Sequence, residues 1–204
     1  MFGYSFLFSP MIPIFFAGEE FNATFHAEPG LSPNEYSDEL AGKGRQYGDS
    51  DAGKGSWLYG TMLDWNELSE PAHRDMFNDV KKMMAIRKGY SETLAMCPGG
   101  KKPNIRAVQY EGDIEVPIPY VRWSEHRAIL IAGNRNRDHD AHLKLHLDLR
   151  TIALGDHAKY KVADLWSGET VKTYTEAELG NFACTVKRDR TAGGGLSVFK
   201  IEPA

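Results

Sequence analysis

Residues 142–149 read His-Leu-Lys-Leu-His-Leu-Asp-Leu, a strict alternation of leucine with polar side chains. Because successive side chains of a strand point to opposite faces, this stretch predicts a strand with its leucines turned inward. Runs with the same period of two follow one another from about Pro103 onward, separated by turn residues and without a helical pattern between them. We predict an eight-stranded antiparallel β-sandwich with strands at 105–110, 120–124, 128–134, 142–149, 160–166, 171–175, 182–187 and 196–201.

The first part of the chain carries a helical pattern instead. Apolar residues recur at helical spacing between Ser69, which can cap a helix, and Gly89, which can end one. Phe2, Phe6 and Leu7 predict the end of another helix at the N-terminus. The chain is therefore predicted to be mainly β with an α-helical N-terminal part.

Between these two helices the sequence is less regular. Residues 12–17 are continuously apolar and predict a strand of the kind buried on both faces in a parallel sheet. Residues 22–56 show no sustained period and predict an unusually long loop. The turn signal Pro-Gly-Gly at 98–100 divides the chain into predicted domains 1–100 and 101–204.

Composition excludes several classes of function. The 204 residues include 24 Lys and Arg against 28 Asp and Glu, a formal net charge of -4, which disfavours a nucleic-acid partner. The apolar run 5–17 is too short to span a bilayer, and no Lys or Arg precedes it as in a signal peptide. Neither GxGxxG nor GxxxxGK(S/T), two glycine motifs that bind phosphate groups, is present, so no cofactor is expected. The localisation stays undetermined.

Two adjacent carboxylates, Glu19 and Glu20, follow Gly18 at the end of the predicted apolar strand. Barrel enzymes keep their active sites at the carboxyl ends of their strands. Retaining glycosidases, however, need two carboxyl groups about 5 to 5.5 Å apart across one bond, and neighbours on an extended chain point to opposite faces. The pair is therefore not predicted to be catalytic, and two interpretations stay open: a solvated or ion-paired role in a loop, and contact with a bound glycan.

Trp57, Asp64 and Trp65 form a second candidate group. An indole face can stack on a sugar ring while a nearby carboxylate binds its hydroxyls, but tryptophan is also a large core residue. Both interpretations stay open for the two tryptophans, whereas Trp166 is expected in the core or on a sheet surface. His142 and His146 share one strand face and are expected to be solvated there, so no metal site is predicted.

Residues 9–21, Ser-Pro-Met-Ile-Pro-Ile-Phe-Phe-Ala-Gly-Glu-Glu-Phe, resemble the eighth-strand signature of the α-amylase family of glycoside hydrolases. In that signature a Pro-Gly-x-Pro turn leads to an apolar strand ending in Gly-Glu/Asp-Glu, and Met11 departs from it where the family has Gly. Asp64-Trp65 and the helix ending Met-Met-Ala-Ile-Arg-Lys at 83–88 look like the family's last barrel helix. The segments at 164–169 and 194–201 are similar to its C-terminal β-sandwich domain.

The resemblance implies that residues 1–100 are the last βα unit of a (β/α)8 barrel and that residues 101–204 are the following domain. The family's catalytic Asp, Glu and second Asp follow earlier barrel strands and would precede Met1. No catalytic residue is therefore expected within this chain. Its expected partner is an α-glucan or a related oligosaccharide bound by the complete enzyme.

Three functions follow from this sequence. The first is the C-terminal part of an α-amylase-type glycosidase, inactive alone. The second is a non-catalytic carbohydrate-binding β-sandwich module. The third is an assembly role, because residues 2–16 would form an exposed apolar patch, which predicts self-association through them.

Overall fold

A computed structural model describes residues 2–8, 17–21, 25–26, 62–63, 65–94, 104–113, 116–152, 154, 156–169, 172–189 and 193–204. The chain divides into two compact units. We call Met1–Ile14 with Asn78–Ala204 the β unit, and Phe15–Phe77 the turn unit. The predicted strand 12–17 lies outside the described residues except for Ala17, which is in a turn. The boundary predicted near residue 100 also lies outside them and stays a prediction.

The chain is mainly β, with antiparallel sheets and a few helices. Its strands in chain order are β1 (Phe25–His26), β2 (Met62–Leu63), β3 (Ile105–Ala107), β4 (Gln109–Gly112), β5 (Tyr120–Trp123), β6 (Ala128–Gly133), β7 (Ala141–His146), β8 (Tyr160–Asp164), β9 (Lys172–Tyr174), β10 (Phe182–Val186) and β11 (Leu196–Pro203). In the turn unit, β1 pairs with β2. In the β unit, a six-stranded sheet has the order β3-β5-β6-β11-β8-β9 and a three-stranded sheet has the order β10-β7-β4.

One predicted strand is wrong in its extent. The run 105–110 is two strands, because β3 pairs with β5 in the larger sheet whereas β4 pairs with β7 in the smaller one. The chain changes sheets at Val108, whose N–H donates to the carbonyl of Pro119 over 2.7 Å. The other seven predicted strands are present, so residues 104–204 hold nine strands among those described rather than eight. The sandwich arrangement itself stays a prediction.

The core of the β unit is formed by inward-pointing side chains, which alternate with exposed ones along strands such as β7. In β7 the residues are buried and exposed in turn, which confirms that the leucines of residues 142–149 point inward. Leu143 and Leu145 share one hydrophobic cluster with Leu130 and Ile201 of the larger sheet. Phe182 of β10 and Phe199 of β11 meet edge to face at 5.1 Å. Apolar side chains from both sheets therefore form one core.

The N-terminal helix, Phe2–Phe8, confirms the helix predicted there and buries Phe6 and Leu7. Its carbonyls receive donors from distant residues, since the Tyr120 hydroxyl donates to Tyr4 O over 2.8 Å and Arg87 Nη1 to Phe6 O over 2.8 Å. Helix ends leave carbonyls unsatisfied, so these donors fix the helix in place. Phe6 and Leu7 are therefore not exposed apolar surface, and the self-association predicted for residues 2–16 stays a prediction.

The long helix, Pro71–Gly89, confirms the helix predicted over 69–89. The boundary between the two units falls within it, after Phe77. In the β unit it buries Val80, Met83 and Ile86, which recur at helical spacing. Short helices follow at Ser91–Leu94 and Glu176–Leu179. None of the helices in the described ranges has the length and apolarity needed to cross a membrane.

Candidate functional site

The Gly-Glu-Glu segment of the turn unit forms a tight turn. Gly18 has φ 102°, a conformation that favours glycine, and Glu19–Phe21 is one turn of 3-10 helix. The Gly18 N–H donates to Glu20 Oε2 over 2.6 Å, and the Phe21 N–H donates to Gly18 O over 3.2 Å. Glu19 and Glu20 are thus not on an extended chain as the sequence suggested. With three residues per turn their side chains diverge around the helix axis, and the Glu20 carboxylate is bonded into the turn.

Phe21 is the centre of this turn. Its side chain is 0% exposed and packs against Trp65 at 5.2 Å and against Phe77 at 6.4 Å between ring centroids. Trp65, in the 3-10 helix Trp65–Ser69, remains 55% exposed. The indole therefore rests on a buried ring and keeps more than half of its own surface accessible, so Trp65 is not a core residue.

His73 connects the turn to the long helix. Its Nδ1 lies 2.8 Å from Phe21 O, and a donor at that position satisfies the carbonyl that ends the turn. Its Nε2 lies 3.6 Å from the Glu70 carboxylate, and Nδ1 lies 3.9 Å from that of Glu67. These three residues were not predicted from the sequence. Their spacing of three, Glu67, Glu70 and His73, was the available signal, because residues three apart share one face of a helix.

Trp65 packs against Phe21, which directly follows Glu20 in the turn, and Glu19 lies exposed at the same turn. Trp57 and Asp64 lie outside the described residues. The carbohydrate contact predicted for these five residues therefore stays a prediction. The structure describes the positions of three of them, Glu19, Glu20 and Trp65.

A concave region lies in the β unit. A cleft of about 700 Å³ is bordered by β8, β9, β10 and β11, with Lys82 of the long helix at one side. Trp166 forms part of its wall but is 6% exposed, as expected of a core residue, and its Nε1 donates to Gly193 O over 2.7 Å. The Lys82 ammonium donates to Trp166 O and lies 5.2 Å from the centre of the indole ring. That indole is therefore already covered.

Cys184 lines the same cleft. Burial and the neighbouring Asp164 carboxylate raise the pKa of its thiol to about 12. The thiol is therefore protonated near neutral pH, and only a thiolate is an effective nucleophile. The cleft holds no activated cysteine.

The strand-face histidines are bonded within the chain. His142 Nδ1 lies 3.1 Å from the Thr185 hydroxyl, and His146 Nε2 lies 3.1 Å from Glu111 Oε1. In the part of the chain that the structure describes, no group of three or more His, Cys, Asp or Glu side chains is arranged to hold a metal ion. These histidines act there as hydrogen-bonding groups of the sheet surface.

Comparison with known proteins gives one kind of match. No family model and no curated protein sequence matches this chain. Among solved structures, the chain is similar to the α-amylase from Geobacillus thermoleovorans complexed with acarbose, with 14% identity and a TM-score of 0.44. The similarity covers 75% of this chain and 27% of the amylase chain. The matched region is therefore about a quarter of that enzyme.

Proposed function

We propose that this chain is the C-terminal portion of an α-amylase-type glycoside hydrolase that acts on α-glucans or related α-glucosides, and that it does not cleave glycosidic bonds alone. Residues 1–100 would be the end of its barrel and residues 101–204 its β-sandwich domain. The observation that carries the proposal is the exposed Trp65 indole held on Phe21, beside the Gly-Glu-Glu turn of the family-like motif.

The chemistry of this surface suits a sugar. Ligand sites combine aromatic surface with a few polar groups that fix orientation. The exposed part of Trp65 offers an apolar face to the C–H groups of a pyranose ring. The exposed Glu19 carboxylate can accept hydrogen bonds from its hydroxyls, whereas Glu20 positions the turn through the Gly18 N–H. Each side chain thus has one role, in binding rather than in bond cleavage.

The test is binding and turnover with the purified chain. We expect maltopentaose to bind at millimolar concentration in calorimetry and no reducing sugar to be released from starch or maltopentaose. Trp65→Ala should weaken binding on the order of tenfold, about 1.4 kcal/mol, and Trp65→Phe should restore part of it. Phe8→Ala, which removes another exposed aromatic ring, is the matched control.

Two results would contradict the proposal. Turnover by the purified chain would show that it is catalytic by itself. Equal affinity for Trp65→Ala and the unmodified chain would show that the Trp65 surface is not the glucan contact.

A second candidate function is a free-standing, non-catalytic carbohydrate-binding module. The observation that favours it is the cleft of the β unit, which is independent of the turn unit. The two functions differ in where a glucan binds, and mapping the bound sugar separates them.

A further inference from the structure

Four strands form the edges of the two sheets in the β unit, and β10 is the longest of them. It has five residues, whereas β3 and β9 have three each and β4 has four. On one side β10 pairs with β7. On its other side, among the residues that the structure describes, no strand pairs with it. Because an edge strand directs alternate N–H and C=O groups away from its sheet, β10 presents backbone donors and acceptors without a strand partner.

The cleft of the β unit lies along this free edge. Four successive residues of β10, Phe182–Thr185, line it. Successive side chains of a strand point to opposite faces, so a space that touches all four borders the edge of the strand rather than one face of it. The opposite border is formed by β8 and β9 of the larger sheet. The volume of about 700 Å³ lies within the range of ligand pockets and can hold a short extended segment.

The larger sheet prevents a second copy of the chain from pairing at this edge. Phe182 of β10 packs on Phe199 of β11 and on Tyr174 of β9, with ring centroids 5.1 and 5.5 Å apart. Since β8 lies between β11 and β9, it passes beneath Phe182, and β9 continues beyond the edge of β10. A twofold pairing of β10 with β10 would place β8 of one copy where β9 of the other lies. A single extended peptide has no second sheet and avoids this overlap.

The residues that an added strand would meet are small on β10 and basic near both borders of the cleft. Ala183 and Thr185 are the exposed residues of β10, and their size leaves room for larger side chains on a neighbouring strand. Lys172 of β9 pairs with Val162, which belongs to the core, so Lys172 projects from the inner face of the sheet. Lys187 directly follows β10 and also lines the cleft. Two ammonium groups therefore flank the position of an added strand.

The charged groups that are still unengaged favour an acidic partner. Six charged side chains line the cleft. Asp140 and Asp164 already accept backbone N–H groups, and Lys82 donates to a backbone carbonyl. Those without a hydrogen-bond or ion-pair partner in the described ranges are Lys172, Lys187 and Glu169. This set carries one positive charge in excess, so a carboxylate of the partner finds an ammonium group without displacing an existing bond.

We propose that β10 accepts an additional strand from an acidic peptide. The peptide backbone extends the smaller sheet from three strands to four, and its Asp or Glu side chains pair with Lys172 and Lys187. In this mode of recognition main-chain hydrogen bonds supply affinity, whereas the alternate side chains supply specificity. The interaction is separate from the sugar contact proposed for Trp65 and does not rest on it.

The site is tested by titrating the N-acetylated, C-amidated peptide Val-Glu-Val-Glu-Val-Glu into the ¹⁵N-labelled full chain and following backbone amide signals. We expect shifts at residues 172–174 and 182–187. Lys172→Ala and Lys187→Ala should each raise the Kd about two- to fivefold, the effect of losing an exposed ion pair. Lys161→Ala is the matched control, because this exposed lysine of β8 lies on the opposite sheet face, and it should leave the Kd unchanged.

Two control peptides separate backbone pairing from charge. The same peptide methylated at every backbone nitrogen should bind on the order of tenfold more weakly, because it cannot donate ladder hydrogen bonds. Equal binding of the methylated peptide would overturn strand addition. The peptide with Lys in place of Glu should also bind more weakly, and equal affinity would overturn the acidic chemistry of the partner.

Two further results would overturn the proposal as a whole. The first is the absence of shifts at residues 182–187 with the acidic peptide at millimolar concentration. The second is a set of shifts at the same residues when the concentration of the chain alone is raised, which would assign this edge to self-association.

Discussion

The two units differ in the interactions that hold their described residues together. The β unit holds an extended apolar core and buried donors that connect residues more than a hundred positions apart, such as Tyr120 with Tyr4. The described turn unit is organised around one buried ring, Phe21, with short-range bonds about it and His73 as its tie to the long helix. Among the described residues, the larger buried core therefore lies in the β unit, whereas the turn unit presents the partly exposed Trp65. A single substitution should lower stability more in the β unit than in the turn unit.

The largest effect is expected at Arg122 of the β unit. Its side chain is 1% exposed, and it donates to Asn104 O over 3.2 Å and to Phe8 O and Leu94 O over 3.3 Å each. Arg122→Ala removes this donor from carbonyls that are buried or partly buried, of which Asn104 O keeps the Trp123 N–H at 3.4 Å, and each such loss costs about 1–3 kcal/mol. We expect the free energy of unfolding in urea to fall by at least about 3 kcal/mol.

Arg137→Ala is the control for Arg122. Arg137 is exposed in a bend after β6, and its replacement should change the free energy of unfolding by less than about 0.5 kcal/mol. Equal losses for the two variants would contradict the view that Arg122 stabilises the junction of the N-terminal helix with the sheet.

A smaller loss is expected at Gly3 of the N-terminal helix. A Cβ at this position would lie 2.8 Å from Leu196 Cδ2 and would also meet Met83 Sδ. Overpacking of this kind costs about 1–3 kcal/mol, which exceeds the gain of at most about 1 kcal/mol from replacing a helical glycine by alanine. We expect Gly3→Ala to lower the melting temperature and Ser5→Ala, at an exposed site of the same helix, to leave it equal or slightly higher. The same change in both variants would show that the helix is not closely packed.

The smallest effect is expected in the turn unit. Glu20→Ala removes the acceptor of the Gly18 N–H and should lower the free energy of opening the turn by about 1 kcal/mol. Amide exchange at Gly18 and Phe21 should then be about fivefold faster, with no change in the strands of the β unit. Glu20→Gln, which keeps an acceptor oxygen for the Gly18 N–H, is the matched control, and an equal acceleration there would contradict the role given to the Glu20 acceptor.

The sequence predicted the parts of the fold that repeat. The alternation of residues 142–149 predicted which face of β7 is buried, because one face of an amphipathic strand must be covered. It could not predict the change of sheet at Val108, since the bond that marks it is to Pro119, eleven residues further on. Nor could it predict that Arg122 is buried, because its acceptors come from three separate segments.

The candidate sites show the same limit. The Gly-Glu-Glu motif drew attention to Glu19 and Glu20, but an extended backbone was the wrong basis for their geometry, because Gly18 begins a 3-10 turn. The exposure of Trp65 depends on its packing against Phe21, which lies far from it in sequence. The cleft depends on strand order and on the unequal widths of two sheets, and neither is written in any single stretch of residues.

The hydrogen bond from Arg122 to the carbonyl of Phe8 can form only after both residues have been synthesised. The two residues are 114 positions apart, and ribosomes add about 5 to 20 residues per second, so about 6 to 23 s pass between their synthesis. During that interval Phe6 and Leu7 lack the sheet that later buries them. The N-terminal helix is therefore made early and docked late, and the nascent chain exposes an apolar segment of the kind that chaperones bind.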